Sequence, residues 1–151
     1  MLELAREIDW PSVNRLSVQI HDLHAAWRPD IYYHHAEPYP KSQFLNDIQN
    51  RCVYVAKIDT GVVGYVVISI AAKAGPGVVQ QKIMRIESIC VDEPFRGHGI
   101  GKSMINDVWA LGKAFGCDKI ILGVHPENDK AVGFYQKCGF QIRTINMDRN
   151  I

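Results

Sequence analysis

Residues 96–103 read Arg-Gly-His-Gly-Ile-Gly-Lys-Ser, and the fold turns on what this glycine loop is. Gly101-Lys102-Ser103 imitates the end of a Walker A loop, but that pattern needs a glycine five positions before its last one, where Arg96 stands. A dinucleotide fingerprint begun at Gly97 requires a third glycine at Lys102, and one begun at Gly99 requires it at Met104. Neither nucleotide pattern holds. What remains is a loop that follows an apolar run, Ile89-Cys90-Val91, and opens an apolar-periodic segment. A strand running into glycines at a helix N-terminus aims backbone N–H groups at one spot, where an anion is stabilised. Gly97, Gly99 and Gly101 carry no side chain to obstruct that ligand, and Arg96 and Lys102 add positive charge. A pyrophosphate on an elongated cofactor suits the arrangement.

Working outward, the loop sits between a set of strands and an alternation of helices and strands. Residues 83–91 are the strongest part of a strand over 78–91, which Gly75-Pro76-Gly77 joins to an almost continuous apolar run at 62–71. The turn signal Asp59-Thr60-Gly61 joins that run to a further strand at 52–58, so three strands form an antiparallel meander. After the loop, Ile100, Met104, Ile105, Val108, Leu111 and Phe115 line one side of a helix over 99–115, with Gly116 at its end. Residues 119–124 read as a short buried strand. Because it follows a strand–helix crossover, it is expected parallel to the strand ending at Val91. A helix over 128–138 and a last strand over 140–147 follow. Upstream, residues 2–8 suggest a first strand, Val13, Leu16, Ile20, Leu23 and Trp27 predict a helix over 11–26, and a short helix is expected over 42–50. The fold class is α+β: a mixed, mostly antiparallel central sheet with one parallel pair, flanked by about four helices.

The chain of 151 residues predicts a single domain, residues 1–151, large enough for a real core. A formal net charge of +1 gives no electrostatic case for nucleic acid or an anionic membrane as main partner. No apolar run approaches the roughly 18 residues of a membrane span, and the charged N-terminus has no signal-peptide core, so a cytoplasmic location is expected. Cys52, Cys90, Cys117 and Cys138 form no C-x-x-C pair and read as free thiols.

Taken together, these features resemble the GNAT superfamily of N-acetyltransferases. Arg96-Gly97-His98-Gly99-Ile100-Gly101 meets that family's acetyl-coenzyme A loop, Gln/Arg-x-x-Gly-x-Gly/Ala. A second family motif follows: Asn128, then Ala131, Phe134-Tyr135 and Gly139-Phe140. The resemblance spans about residues 1–147. It implies that the two parallel strands splay apart and that the pantetheine arm lies between them. Backbone groups in the Ile89-Cys90-Val91 stretch would pair with the arm, and the Gly97–Gly101 N–H groups, with His98, Ile100 and Lys102 in the same turn, would hold the pyrophosphate. Asn128, Ala131 and Tyr135 would flank the thioester end. Acetyl-coenzyme A is then the cosubstrate and a primary amine, on a small molecule or a protein, the acceptor.

Two protons have to move in such a reaction. An amine of pKa near ~10 must lose one, and the departing thiolate must gain one. Tyr135 suits the second task, as a phenol of reference pKa ~10 facing a thiol of ~8.5. Glu87 is the candidate base: strict alternation puts it on the strand face of Ile89 and Val91. A core tyrosine and an ion pair with Arg85 are the structural alternatives for these two residues. Cys90, on the face opposite Glu87 by the same count, would permit an acetyl-cysteine route, but direct transfer in a ternary complex is favoured. The resemblance implies that the segment between the first two helices, Trp27–Lys41, lines the acceptor pocket; its Trp27, Asp30, Tyr32, Tyr33, Glu37 and Tyr39 suit a cationic acceptor, and a surface loop stapled by its aromatics is the alternative. His21 and His24, with His34-His35 nearby, lack a partner set at a recognised metal spacing; no metal is expected, and these histidines are either solvated or part of the acceptor pocket. Only eleven residues follow Phe140, too few for the family's long C-terminal hairpin. A second subunit supplying the missing wall, hence a homodimer, is one expectation. Two other functions fit parts of the sequence: a non-catalytic acyl-coenzyme A sensor of the same fold, and a nucleotide-phosphate enzyme built on Gly101-Lys102-Ser103. The missing Walker glycine argues against the latter.

Overall fold

A computed structural model describes residues 2–59 and 61–151. One sheet holds five strands in the order β1 (Leu2–Leu4), β2 (Val53–Ile58), β3 (Gly61–Gly75), β4 (Val78–Val91) and β5 (Lys119–Leu122). Neighbours from β1 to β4 are antiparallel, and β4 pairs with β5 in parallel. Helices α1 (Trp10–Trp27), α2 (Lys41–Gln49), α3 (Ile100–Ala114) and α4 (Asp129–Lys137) complete the fold. This is the mostly antiparallel α+β sheet with one parallel pair that the hydrophobic periodicity predicts. Of the turn expected at 59–61, Thr60 lies outside the described residues.

Both faces of the sheet are covered, which is why β3 reads as an unbroken apolar run. On one face Ile100, Met104, Ile105 and Val108 of α3 pack on Tyr54, Val66, Ile68, Met84 and Ile86. On the other, Val13 and Leu16 of α1 and Phe44 of α2 pack on Val53, Val55, Tyr65, Val67 and Cys90.

The β4–β5 ladder is short. It runs from Ile83 opposite Lys119 to Ile86 opposite Leu122 and stops. β4 continues to Val91 without β5 beside it, so a wedge opens between the strands, as the family resemblance implies.

The expected strand over 140–147 does not form. Gly139, in the left-handed region at φ 92°, ends α4, and the Phe140 N–H donates back to the Tyr135 carbonyl at 3.0 Å. Beyond it no residue to 151 is in a strand. A strand exists only through a ladder partner, and the outer edge of β5 pairs with nothing among the described residues. No helix among them is long and apolar enough to cross a membrane.

Candidate active site

The wedge is shaped by one extra residue. Val67 pairs with Ser88 and Ile68 with Ile86, so Glu87 is an insertion, a β-bulge. The bulge inverts the alternation. Met84 and Ile86 face α3, and so do Ile89 and Val91, which differ from them by an odd number of residues. The Glu87 carboxylate instead meets Ser69, whose Oγ donates to Glu87 Oε1 at 2.5 Å, and Arg85, whose Nε lies 3.4 Å from Oε2. Ser69 shares the parity of Tyr65 and Val67, which face α1 and α2. Two expectations are thereby corrected: Glu87 does not share a face with Ile89 and Val91, and it lies on the same face as Cys90. The predicted Glu87–Arg85 ion pair is present.

The ladder register fixes which backbone groups face the wedge. Asp92 N–H donates to the Val63 carbonyl at 2.8 Å, so Val63–Asp92 is a hydrogen-bonded position. Antiparallel pairs alternate. Ile89 and Val91, opposite Val66 and Gly64, therefore turn their N–H and C=O groups away from β3 and into the wedge. Cys90, opposite Tyr65, is committed to β3 through its backbone, and its buried side chain packs in the α1–α2 cluster. Burial pushes the Cys90 thiol up, against the nearby Arg96 charge. Cys90 is thus no contact of the wedge, a correction to its expected place among the cofactor-binding residues, and a thiol held protonated is a poor nucleophile.

Beyond β4, Gly97 and Gly99 adopt φ of 80° and 84°, a region that glycine enters without strain, and nothing lies within 4 Å of where a Cβ would stand on either. The loop is open on that side. Gly99 caps α3, whose first-turn N–H groups have no partner within the helix. Gly101 has a different reason: a Cβ there would meet Phe134 Cζ of α4 at 3.3 Å, so this glycine lets α3 and α4 approach. Ile100 buries its side chain in the core, while His98 and Lys102 are exposed. Arg96 departs from expectation. Its Nε donates to the Val91 carbonyl at 2.8 Å and an Nη2 donates to Gln19 Oε1 at 3.3 Å, so its guanidinium is folded back against the end of β4.

That contact belongs to a network that no local motif announced. Gln19 Nε2 donates to Asp92 Oδ1 at 2.8 Å, Gln19 Oε1 also accepts from the Glu93 N–H at 3.3 Å, and Arg15 Nη1 lies 2.7 Å from Asp92 Oδ2. Burial works against the Asp92 charge, but the bonds from Gln19 and Arg15 outweigh it and hold the carboxyl below the usual range. Together these side chains fasten α1 to the root of the glycine loop.

A cavity of ≈ 580 Å³ runs through the wedge. Its walls include Glu87, Ser88 and Ile89 on one lip and Leu122 to His125 on the other, with Asn128, Ala131 and Tyr135 from α4. Asn128 Oδ1 accepts from the Ala131 N–H at 3.2 Å, so this asparagine caps α4 while facing the cavity. Tyr135, wedged between the rings of Phe134 and Phe140, is pushed up to about 12, first by burial and then by the neighbouring Cys138 and Cys90 thiols. It therefore stays a protonated donor throughout the neutral range.

From the other side α1 presents Ser17, Ile20, His21 and His24, positions three and four apart on one helix face. His24 is held below the usual imidazole range by burial and by the His125 and His21 rings. His21 and His24 thus line the cavity, while His34 pairs with Asp22 at 2.8 Å outside it. Among the described residues no cluster of three or more potential metal ligands occurs. Of the proposed acceptor residues, Trp27 and Asp30 do not line the cavity: Trp27 stacks on His125 at 5.6 Å, and Asp30 is bound by Arg28. Tyr32 and Tyr33 line an adjoining depression of ≈ 300 Å³ that shares His21 and Pro38 with the cavity. The aromatic segment after α1 folds over the histidines from outside, and the residues that reach inward, Tyr39 and Pro38, lie nearer α2.

Comparison with known proteins places this geometry. The family model "Acetyltransferase (GNAT) family" matches residues 18–140. The glucosamine 6-phosphate N-acetyltransferase of Trypanosoma brucei brucei is 33% identical over 108 residues, 68% of this chain and 70% of that one. The N-alpha-acetyltransferase of Sulfolobus acidocaldarius is 32% identical over 113 residues, 70% and 66% of the two chains. Matches to the rice and Arabidopsis glucosamine 6-phosphate N-acetyltransferases span only about half of those proteins, 48% and 55%. A crystal structure of a mutant of the BH1408 protein from Bacillus halodurans superposes with a TM-score of 0.95 at 30% identity, over 100% of this chain and 99% of that one. With its wedge, its glycine loop and these relatives, the chain belongs to the GNAT family of acetyltransferases.

Proposed function

We propose that the protein transfers the acetyl group of acetyl-coenzyme A to a primary amine by direct attack within a ternary complex. The observation that carries this is the wedge itself: Ile89 and Val91 turn toward it backbone groups that β3 does not use, and a glycine loop open on its outer side stands at its end. An extended amide-bearing arm fits such an edge as an added strand. First-turn N–H groups of α3, together with Gly97 and Gly99, suit the pyrophosphate. The Val91 carbonyl is already taken by Arg96, so the Val91 N–H and the Ile89 groups are the ones left for the arm.

The cosubstrate supplies an activated thioester; the chain's residues hold it and move protons. Tyr135, whose hydroxyl is protonated at neutral pH and lines the cavity, donates to the departing sulfur. Glu87, at the cavity lip, takes a proton from the acceptor's ammonium through a water, so that the free amine attacks the thioester, with Ser69 and Arg85 fixing the carboxylate. The cavity admits a small polar amine. His21, His24 and His125 around it suit an acceptor rich in hydrogen-bonding oxygens, in keeping with the amino-sugar phosphate named for the Trypanosoma relative.

Release of free thiol from acetyl-coenzyme A across an amine panel tests this. The panel contains glucosamine 6-phosphate, unphosphorylated amino sugars, lysine peptides and peptides with a free N-terminus. Turnover with a small amine supports the proposal. Turnover only with N-terminal peptides moves the acceptor toward the protein class. Binding of acetyl-coenzyme A with no turnover on any amine leaves the sensor function.

A further inference from the structure

The aromatic segment between α1 and α2 holds a carboxylate whose charge the chain does not meet. Asp30 of the same segment is paired with Arg28, and Asp22 of α1 accepts from His34. Glu37 is half-buried and enters no ion pair among the described residues. Its Oε1 accepts from the Lys41 N–H at the start of α2, at 2.8 Å, while its Oε2 has no protein partner among them.

The surroundings of this carboxylate fit a cation. Glu37 lines the ≈ 300 Å³ depression together with Tyr32, Tyr33, His21 and His35. His35 Nδ1 accepts from the Glu37 N–H at 2.9 Å, so that nitrogen carries no proton. His21 Nε2 lies 2.8 Å from the Tyr33 carbonyl, which can only accept, so Nε2 carries the proton of the neutral ring. With both imidazoles in these tautomers, Glu37 supplies the only formal charge of the lining. Beside it stand two phenol rings, whose faces attract an ammonium.

The depression opens onto the reaction site. His21 and Pro38 line both it and the cavity. Tyr32 stands edge-on to His21 and tilted over His24, with ring centroids 5.9 Å apart in each case, so its ring divides the two spaces. An acceptor whose reacting amine lies in the cavity therefore has Glu37 beyond its far end.

We propose, resting on the transfer to an amine set out above, that the depression holds a second ammonium of the acceptor against Glu37 and the Tyr32 and Tyr33 rings. The acceptor is then a small molecule with two amines. One is acetylated in the cavity, and the other stays charged and anchors the molecule outside it. The aromatic and acidic character of the segment serves this anchor and not the reacting amine.

Thiol release is measured with straight-chain diamines and monoamines of equal length, and with amino sugars bearing one and two amino groups. The two-amine member of each pair is expected to show a KM about tenfold lower at similar kcat. Glu37→Gln removes the charge but keeps an oxygen for the Lys41 N–H, so α2 stays capped. It should raise the two-amine KM about tenfold and leave the monoamine KM unchanged. Tyr33 is 76% exposed, so its replacement does not endanger the fold. Tyr33→Ala should act in the same direction as Glu37→Gln, and Tyr33→Phe should have no effect, because the cation meets the ring and not the hydroxyl. Equal KM values within the pairs, a Glu37→Gln effect shared by both members, or turnover confined to peptides each overturn the proposal while the reaction stands. Absence of thiol release with every amine brings down the reaction, and the proposal with it.

Discussion

At the residue scale, Tyr135 and Glu87 hold opposite positions. Tyr135 is shielded and kept protonated, and its ring is fixed by aromatic neighbours whatever its hydroxyl does. Tyr135→Phe should therefore preserve the fold and the affinity for acetyl-coenzyme A while lowering kcat by about 10²-fold. Steady-state kinetics beside a direct titration checks this, and an unchanged kcat would reduce Tyr135 to a packing residue. Glu87→Gln should lower kcat by a similar factor with an unchanged thioester affinity. If His24→Gln alone does so, the proton acceptor is the imidazole on α1. Chain alternation gave the wrong face for Glu87 because alternation counts residues, and a bulge adds one without leaving a mark in composition. That Trp27, Asp30, Tyr32 and Tyr33 stand outside the cavity while Tyr39 lines it was illegible for a related reason. An irregular segment has no period, so nothing in it says which side chains point inward.

At the scale of elements, the helices and the meander are legible because each side of the argument is local. Apolar spacing places α1, α3 and α4 to within a few residues, and Gly75-Pro76-Gly77 marks the β3–β4 turn. The loop motif is legible as well, but its three glycines do two different jobs. Gly99→Ala forces a side chain into the left-handed region, a cost of about 1–2 kcal/mol, and should weaken coenzyme binding through the distorted cap. Gly101→Ala pushes against Phe134 and should cost about 1 kcal/mol through displaced packing between α3 and α4. Denaturant titration with and without acetyl-coenzyme A separates the two. A Phe134→Leu change should relieve the second and leave the first unchanged.

At the scale of the whole molecule, the Arg15–Gln19–Asp92–Arg96 network ties the first helix to the cofactor loop across more than seventy residues of sequence. No window of sequence contains both partners, which is why only the folded chain reveals it. Asp92 has a depressed pKa when folded. The stability it contributes is present above the unfolded carboxylate value of ~3.9 and is lost as pH falls through the still lower folded value. Asp92→Asn should accordingly lower stability at neutral pH by about 2 kcal/mol, and the gap to wild type should shrink as pH falls below about 4. Thermal melts of both proteins across that range test it. A constant gap would mean that Asp92 acts by shape and not by charge.

The bulge at Glu87 has a consequence for how this chain tolerates lengthening and shortening. Remove one residue between Ile86 and Ile89 and the ladder becomes regular with Met84, Ile86, Ile89 and Val91 all still facing α3. Remove one elsewhere between 83 and 91 and the parity is lost: side chains on one flank exchange inside for outside. The hairpin tip at 75–77, where added residues only lengthen an exposed turn, has no such parity to protect. In a scan of single-residue deletions over 83–91, the loss of Glu87 or Ser88 should therefore cost the fold less than the loss of any neighbour, because only there does the strand hold a residue in surplus.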